Sequence, residues 1–383
     1  MVTVTGVRSV LLSHDYAGSP RLEWVGGYID TWDAALVEVT CSDGSTGLGE
    51  VAQGIMGALA VPGIAEALTP IALGLDAEQP ALASSTIRDR TLFWARGGIT
   101  AGVIAAIEQA LWDAAGKRHG KPVHELMGGA QRTSMELYAS GGLGTTPQEV
   151  IDWARLQERA GLATVKFRAM RTPQRTVELL HAVTSALRPG TQFVIDAVQG
   201  CASRSWSWDD AVMVGTVASE LGARWFEEPC RADDVAGYAH VRARVEVPVS
   251  GVESFTSPEE FERLLDVGGV DIAQPDVAMV GGPSQLQRVA RLAESRGVAV
   301  VPHVWGTGVT LMANLHTAFA TPNMELVELC TIPNPLREAL LVEPLAIDDS
   351  RVAAPTSPGL GVQLSSEIEA AFPFRPGRGH VIT

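Results

Sequence analysis

Between residues 134 and 330, short apolar segments typical of β-strands alternate with longer segments that have helical spacing. There are eight such strands, and each one from the second on carries an ionisable residue at or near its end. These residues are Lys166, Asp196, Glu227, Glu253, Asp276, His303 and Glu328. Successive members are 23 to 31 residues apart, which is the length of one strand, one helix and their loops. Eight such units that close on themselves predict an α/β fold, a TIM-type (β/α) barrel.

The rest of the chain predicts two further parts around this barrel. Residues 1–50 alternate as strands and residues 64–127 are helical in pattern, so we expect an N-terminal α+β domain over 1–127. The barrel would take residues 128–330. The Pro-rich segment 331–383 would pack back on the N-terminal domain.

Two stretches in the N-terminal domain, 16–32 and 51–63, lack a clear period. They are rich in glycine, proline and aromatic or apolar residues. Long loops in compact domains often serve as lids over a functional site. We therefore expect these two stretches to be functional loops.

Composition excludes several classes of partner. The 383-residue chain has a net charge of −15 and no block rich in Lys and Arg, which argues against nucleic acid. The chain start lacks the features of a signal peptide, and no apolar run reaches the roughly 18–20 residues of a membrane helix. The scattered cysteines are expected to be free thiols: Cys41, Cys201, Cys230 and Cys330. We therefore expect a cytoplasmic protein without a membrane partner.

Three carboxylates close consecutive strands of the predicted barrel: Asp196, Glu227 and Glu253. The carboxyl ends of barrel strands converge on one mouth, where such barrels place their active sites. Three carboxylates at that mouth repel each other unless a cation lies between them. Hard oxygen ligands suit Mg²⁺, so we expect a magnesium site. The alternative is that each carboxylate is an isolated charge that faces solvent.

The neighbouring strand segment "TVKFRAM" carries two cations, Lys166 and Arg168. Side chains two residues apart on a strand face the same side, so both are expected to face the carboxylates and an anionic substrate. Lysine occurs three times in the chain, against 26 arginines, which makes a lysine at this position notable. Simple drift in composition is the alternative explanation.

Asp276 and His303 end neighbouring strands and are expected to form a pair. An aspartate bonded to one imidazole nitrogen fixes the tautomer and raises the basicity of the other nitrogen, which suits a general base. A structural histidine is the alternative. Glu328 on the eighth strand is a candidate donor to a developing enolate oxygen, provided that its neighbours raise its pKa.

Together these motifs resemble the enolase superfamily, in particular its mandelate racemase-like branch. The stretches that carry the resemblance are "ALWDAAGKRHGKPVHELMGG", "VIDAVQG", "WFEEP", "VPVSGVES", "QPDVAMVGG", "VPHVWGTGV" and "VELC". The resemblance implies Asp196, Glu227 and Glu253 on Mg²⁺, an Asp276–His303 dyad, a strand-eight acid and a capping domain whose two loops close over the barrel. It also implies a homo-oligomer. The C-terminal part, "NPLREALLVEPL…SPGLGV", looks more narrowly like acid-sugar dehydratases and galactarolactone cycloisomerases.

Two positions depart from the family pattern. Arg168 replaces the second lysine of a Lys-x-Lys pair, and Val198 replaces an asparagine on the third strand. A guanidinium with a pKa above about 12 is a poor base at neutral pH, which disfavours a two-base racemase. We therefore expect removal of the proton α to a carboxylate by His303. Loss of a β-hydroxyl or opening of a ring would follow, in a small anionic acid sugar or its lactone.

Lys166, Arg168 and Trp305 are then expected to bind the substrate, and Lys166, Arg168, Asp276, His303 and Glu328 to form the catalytic set. The runner-up is a racemase or epimerase of a 2-hydroxy acid that uses Arg168 as an unusual base. An epimerase of amino-acid derivatives would need lysines on both sides, and the sixth strand carries Met279 instead. A non-catalytic binding protein is the remaining alternative.

Overall fold

The computed structural model describes residues 1–16, 22–377 and 379–382. Five strands come first in the chain: β1 (Val4–Asp15), β2 (Leu22–Trp24), β3 (Gly27–Ile29), β4 (Thr31–Cys41) and β5 (Thr46–Val51). Strands β1, β4 and β5 form an antiparallel sheet in the order β1–β4–β5. Strands β2 and β3 form a small hairpin inside the stretch 16–32 that lacked a period; its residues 17–21 lie outside the described part.

The helices of the N-terminal domain follow the sheet. They are α1 (Gly54–Gly57), α2 (Val61–Ala72), α3 (Pro80–Thr91), α4 (Ile99–His119) and α5 (Val123–Leu126), with a 3₁₀ turn at Ala58–Ala60. Helix α4 packs closely on β5 because two glycines of that strand leave room. A Cβ atom on Gly47 or Gly49 would lie 2.0 Å from a backbone carbonyl oxygen of α4. The predicted α+β composition of this domain is present.

Residues 54–63 differ from the expected loop, and the apolar run 54–72 reaches a length that was not expected, whereas 64–72 are helical as predicted. The whole stretch is helical, and Gly54–Ala72 has the length and hydropathy of a membrane span. Core helices of soluble proteins can have the same length and hydropathy, and this stretch is divided into two helices and a 3₁₀ turn. The buried residues of α2, such as Val61 and Leu68, belong to the apolar core between the sheet and α4.

The barrel consists of eight parallel strands, as predicted. They are β6 (Ser134–Ser140), β7 (Thr164–Arg168), β8 (Gln192–Asp196), β9 (Phe226–Glu227), β10 (Val249–Gly251), β11 (Ile272–Ala273), β12 (Ala299–Val300) and β13 (Leu326–Cys330). Backbone ladders join them in the order β12–β11–β10–β9–β8–β7–β6–β13. The first and last strands of this order, β12 and β13, are joined by a side-chain contact. The backbone N–H of Val304, just beyond β12, donates to the Glu328 carboxylate on β13 at 2.8 Å.

Helices alternate with these strands. They are α6 (Pro147–Arg159), α7 (Pro173–Ala186), α8 (Trp208–Glu220), α9 (Val235–Arg242), α10 (Pro258–Asp266), α11 (Pro283–Glu294) and α12 (Gly308–Phe319). Several begin where a polar side chain accepts a hydrogen bond from the first turn. Thr146 and Glu149 form a capping box at α6, and Thr172 and Ser207 cap α7 and α8. The local sequence thus fixes where each helix leaves the mouth of the barrel.

The C-terminal segment contacts both domains. It contains α13 (Pro335–Ala339), β14 (Ile347–Asp348), β15 (Arg351–Ala353), α14 (Ser366–Ala371) and β16 (His380–Ile382). Strand β15 pairs with β6 of the barrel, whereas β16 pairs with β3 of the N-terminal domain. Strand β16 therefore extends the small sheet formed by the β2–β3 hairpin of the N-terminal domain.

A buried carboxylate joins the N-terminal domain to the barrel. Glu50, at the end of β5, accepts hydrogen bonds from the backbone and hydroxyl groups of Thr307 and Thr310, at 2.6–3.1 Å. These two threonines lie at the start of α12. The contact fixes the position at which residues 51–56 cross the barrel mouth.

Candidate active site

Lys166 lies fully buried inside the barrel among carboxylates. Its ammonium group is in direct contact with Glu227, 2.8 Å from Glu328 and 3.9 Å from Asp196. Burial alone would lower the pKa of Lys166, but the charges of Glu227 and Glu328 outweigh it and raise the pKa. The cation expected at this place therefore has anionic protein partners. Lys166 is not among the residues that line the cavity at the mouth, and its role in substrate binding stays a prediction.

Arg168, two residues further along β7, does reach the cavity. Its Nε lies 3.3 Å from an oxygen of Asp196, and its guanidinium lies 4.8 Å from the centre of the Trp305 ring. Two residues along a strand advance about 6.6 Å, which separates the buried Lys166 from the mouth-facing Arg168. Burial opposes the charge of Arg168, but Asp196 and the other carboxylates raise its pKa, so it stays a cation.

The predicted dyad is present as a hydrogen-bonded pair. His303 Nδ1 lies 3.0 Å from Asp276 Oδ2, and the other oxygen of Asp276 accepts from the Asn314 amide at 3.0 Å. Nδ1–H therefore donates to Asp276, which leaves Nε2 to face Glu253 at 3.4 Å. Burial would lower the pKa of His303, but Glu253, Glu328 and Asp276 raise it to about 9.

Glu328 was expected to act as an acid if its neighbours raise its pKa, but here they lower it. It is fully buried between Lys166 and the backbone N–H of Val304. Burial alone would raise its pKa, but Lys166, His303 and Arg168 lower it to about 2. In this arrangement Glu328 is a carboxylate that balances Lys166.

The three predicted metal ligands lie at the same end of neighbouring strands. Asp196 and Glu253 line the cavity, whereas Glu227 lies deeper, with Oε2 accepting from Trp225 Nε1 at 3.0 Å and Gln274 Nε2 at 2.9 Å. Within the described part of the chain, no three Asp, Glu, His or Cys side chains are arranged to hold one metal ion together. Lys166 and Arg168 instead contact the oxygens of Glu227 and Asp196.

A fourth carboxylate, Glu228, was not singled out from the sequence. It is buried, lines the cavity with Asp196 and Glu253, and its Oε1 has no hydrogen-bond partner among the described residues. Its φ of 47° interrupts the alternation of a strand, so two consecutive glutamates both turn inward. The second Glu of "FEEP" was the available sequence signal. Gly200 makes the room, since a Cβ there would lie 2.2 Å from Glu228 Oε1.

The donor chemistry of this cluster fits a hard divalent cation. Burial, followed by the charge of Glu227, raises the pKa of Asp196 to about 7. Burial also raises the pKa of Glu228 and Glu253, and the other carboxylates add to it. Oxygen-rich sites of this kind, with an unpartnered buried oxygen, are the ones that Mg²⁺ occupies in proteins.

Above these charges lies a cavity of about 290 Å³. Its floor carries Arg168, Asp196, Glu228, Glu253 and His303. Its walls are mostly apolar: Trp24, Ala52, Ile55, Met56, Leu143, Val198, Met279 and Trp305. Trp24 and residues 52–56 come from the two stretches expected to be functional loops, so the N-terminal domain contributes the cavity's outer wall. Trp305 also lines this cavity, and its role in substrate binding stays a prediction.

Comparison with known families matches nearly the whole chain. Residues 26–128 match the family described as "Mandelate racemase / muconate lactonizing enzyme, N-terminal domain". Residues 149–368 match the family described as "Enolase C-terminal domain-like". The second match alone spans more than half of the chain.

Two characterised relatives match over most of their length. The chain is 31% identical over 385 residues to D-galactarolactone cycloisomerase of Agrobacterium fabrum, covering 96% of this chain and 98% of the relative. It is 29% identical over 330 residues to arabinonate dehydratase of Saccharolobus solfataricus, covering 85% of this chain and 86% of the relative.

Solved structures agree with this assignment. The 3,6-anhydro-D-galactonate cycloisomerase of Zobellia galactanivorans superposes with a TM-score of 0.86 at 27% identity, covering 97% of this chain and 99% of that one. A racemase of Streptomyces coelicolor with bound magnesium superposes with a TM-score of 0.85 at 26% identity, covering 96% and 99%. The expected resemblance is confirmed: this chain belongs to the enolase superfamily, with the N-terminal domain of the mandelate racemase and muconate lactonizing enzymes.

Proposed function

We propose that this protein is a Mg²⁺-dependent enzyme that removes the proton α to the carboxylate of an acid sugar, or of its lactone, and then expels an oxygen from the β-carbon. The observation that carries the proposal is the pairing at the cavity floor. A hydrogen-bonded His303–Asp276 dyad follows β11 and β12, and Arg168 lines the same cavity from β7, three strands away from β12 around the barrel. The relatives named D-galactarolactone cycloisomerase and arabinonate dehydratase support this class of reaction, proton removal followed by loss of a β-oxygen.

His303 Nε2 is the group that would take the α-proton. Asp276 holds the proton on Nδ1 and so keeps the lone pair of Nε2 directed at the cavity. With a pKa of about 9, His303 is protonated at neutral pH while Glu253 is charged. Neutralisation of Glu253 would remove the largest of the charges that raise this pKa, so His303 would become available as a base.

A divalent cation held by Asp196, Glu253 and one glutamate of the Glu227–Glu228 pair would supply positive charge to stabilise the negative charge that builds up on the substrate carboxylate. Arg168 would bind and orient the same end of the substrate from the opposite wall. Its guanidinium remains charged and has no lone pair for a proton. Lys166 would hold Glu227 and Glu328 in place from below.

The bond changes balance without a further reactant. The Cα–H electron pair forms the Cα–Cβ double bond of an enol, the Cβ–O bond breaks, and the proton held by His303 Nε2 goes to the departing oxygen. From an open-chain acid the departing group is water, and from a lactone or ring ether it is the ring oxygen. Tautomerisation then gives a 2-keto-3-deoxy product in both cases.

A racemase or epimerase remains the second candidate, because the Streptomyces coelicolor neighbour is described as a racemase. It would need a proton acceptor on both faces of the substrate carbon. Arg168 would have to be the second acceptor, and its raised pKa disfavours that role.

We further propose a cytoplasmic homo-oligomer whose partner is a small anionic substrate. The net charge of −15 supports the absence of a nucleic-acid partner. The magnesium-bound neighbour supports Mg²⁺ as the cofactor.

The test is a panel of aldonates, aldarates and their lactones, incubated with the protein and Mg²⁺. Product is detected as a 2-keto-3-deoxy acid by semicarbazone absorbance and by ¹H NMR. The expected result is such a product from at least one compound, and none from a His303→Asn variant. Failure of every compound to give this product would reject the proposal, and inversion of a 2-hydroxy acid would establish the racemase instead.

A further inference from the structure

His380 brings an imidazole into the cavity from the far end of the chain. Strand β16 pairs antiparallel with β3, and His380 lies opposite Ile29 in that pairing. The ring packs edge-on against Trp24, with 6.3 Å between ring centres. It lines the same cavity as Arg168 and His303, on the side of the N-terminal domain. The site is therefore built from three parts of the chain.

Both ring nitrogens of His380 are out of contact with solvent and have no hydrogen-bond partner among the described residues. Trp24 Nε1 and Gln53 Oε1, on the same wall, are also without a partner there. A buried polar atom left unpaired costs about 1–3 kcal/mol. These four atoms belong to side chains that line one cavity, and a polar ligand there is the partner that we infer for them.

The electrostatic surroundings of His380 favour an uncharged ring. Burial lowers its pKa to about 4, and the nearby charge of Arg168 adds to this effect. A neutral imidazole has one N–H donor and one acceptor nitrogen. A ligand hydroxyl, which both donates and accepts, matches either nitrogen.

The rest of the cavity wall offers few hydrogen-bond partners for the hydroxyl groups of a substrate. Apart from Cys201 and Ser254, its side chains are apolar or aromatic: Ile55, Met56, Leu143, Val198, Met279 and Trp305. An open-chain polyol placed against them would lose hydrogen bonds to water without replacement. A compact ring with one hydroxylated edge and one apolar face loses far fewer.

We propose that His380 is a substrate-binding residue that hydrogen-bonds a hydroxyl at the end of the substrate remote from its carboxylate, and that the preferred substrate is a cyclic acid sugar such as a lactone. This inference rests on the proposed function, since it names the substrate form for the same site. Trp24 and Gln53 supply the neighbouring hydrogen bonds. The apolar wall selects the ring against the open chain.

The test compares one cyclic and one open-chain probe, D-galactaro-1,4-lactone and D-galactonate, with Mg²⁺. We expect the wild-type kcat/KM to be at least about 10-fold higher for the lactone. His380→Phe should raise KM for the lactone about 10-fold or more while kcat changes less than about 3-fold. His380→Gln, which retains a donor and an acceptor, should recover part of the loss. His181→Phe, on the exposed surface of α7, is the matched control and should leave both constants unchanged.

Calorimetric binding of the lactone to the magnesium-loaded protein separates this inference from the proposed function. Lactone binding that weakens in His380→Phe, without product from any compound of the panel, would support the binding role of His380 and reject the function. Product formation with the same KM in wild type and His380→Phe would reject the inference alone. No binding of the lactone would reject the inference, and the absence of product from every compound of the panel would reject the function as well. Circular dichroism of each variant shows whether it has folded.

Discussion

Replacement of Lys166 by methionine tests the charge balance inside the barrel. The ammonium group has no exposed surface and contacts Glu227 and Glu328. Its removal leaves two fully buried carboxylates without their cation. Loss of one partner from a buried ion pair costs about 3–5 kcal/mol, so we expect Lys166→Met to lower the free energy of unfolding by that amount.

The assay is urea denaturation followed by circular dichroism at pH 7.5 in the presence of EDTA. Lys121→Met is the matched control, because Lys121 is exposed and its nearest carboxylate, Glu125, lies 4.0 Å away. A pair of this kind contributes little, and we expect a change below about 0.5 kcal/mol. The double variant Lys166→Met/Glu328→Gln removes one charge of each sign and should recover at least half of the loss.

The pH dependence of the Lys166→Met deficit gives a second check. In the wild type, Lys166 is the main group that lowers the pKa of Glu328 against the effect of burial. Without Lys166, the Glu328 pKa rises in the folded state. A folded carboxyl with a raised pKa binds protons better than the unfolded one, so the deficit should shrink between pH 7.5 and pH 5. A loss below about 1 kcal/mol that does not vary with pH would refute the charge-balance argument.

Three further predictions address the dyad, a buried histidine pair and the contact between the domains. Asp276→Asn should lower kcat at least about 100-fold on the substrate identified by the panel, with little change in KM, because Asp276 no longer fixes the proton of His303 on Nδ1. Steady-state kinetics measures this, and circular dichroism shows whether the variant has folded. His316 is buried with its Nδ1 3.1 Å from that of His124, and burial, followed by the charge of His124, lowers its pKa from 6.5 to about 3. The unfolded chain therefore takes up a proton below pH 6.5 that the folded chain refuses. The contribution of His316 should lower stability by about 2 kcal/mol between pH 7.5 and pH 5, measured by urea denaturation as the difference between the wild-type and His316→Gln changes. Glu50→Gln should lower stability by about 1–3 kcal/mol, because an amide nitrogen replaces an acceptor of the hydrogen bonds from Thr307 and Thr310; an unchanged urea midpoint would argue against this contact as a link between the domains.

The strand-end pattern predicted much of the fold and of the cavity floor. Asp196 and Glu227 end their strands as expected, and Asp276 pairs with His303. These features depend on the period of βα units and on the rule that parallel strands end at one mouth. Both are local properties, so a single sequence carries them.

The sequence did not predict how deep each side chain lies along the barrel axis. Lys166 and Arg168 share a face, as expected, but one lies under the carboxylates and the other at the cavity. Glu328 lies in the middle of β13, with a lowered rather than a raised pKa. Such differences depend on which strand residue stands at the rim, and a shift of two residues along a strand moves a group about 6.6 Å.

The parts missed from the sequence depend on backbone conformation or on distant pairing. Glu228 turns inward because its backbone is left-handed, which composition does not reveal. His380 reaches the cavity only because β16 pairs with β3, over 350 residues away in the chain. Glu50 likewise meets Thr307 across 257 residues. Contacts of this kind follow from the assembled fold and not from a local pattern.

The measurement that tests the account most directly is ¹H NMR of α-proton loss in D₂O, on the panel compound that the wild-type protein converts fastest. Wild type, His303→Asn and Arg168→Met are compared at equal Mg²⁺. If His303 is the single base, His303→Asn loses both α-proton exchange and product. Arg168→Met would still exchange the α-proton, with a raised KM. Loss of exchange in Arg168→Met together with continued exchange in His303→Asn would contradict the account.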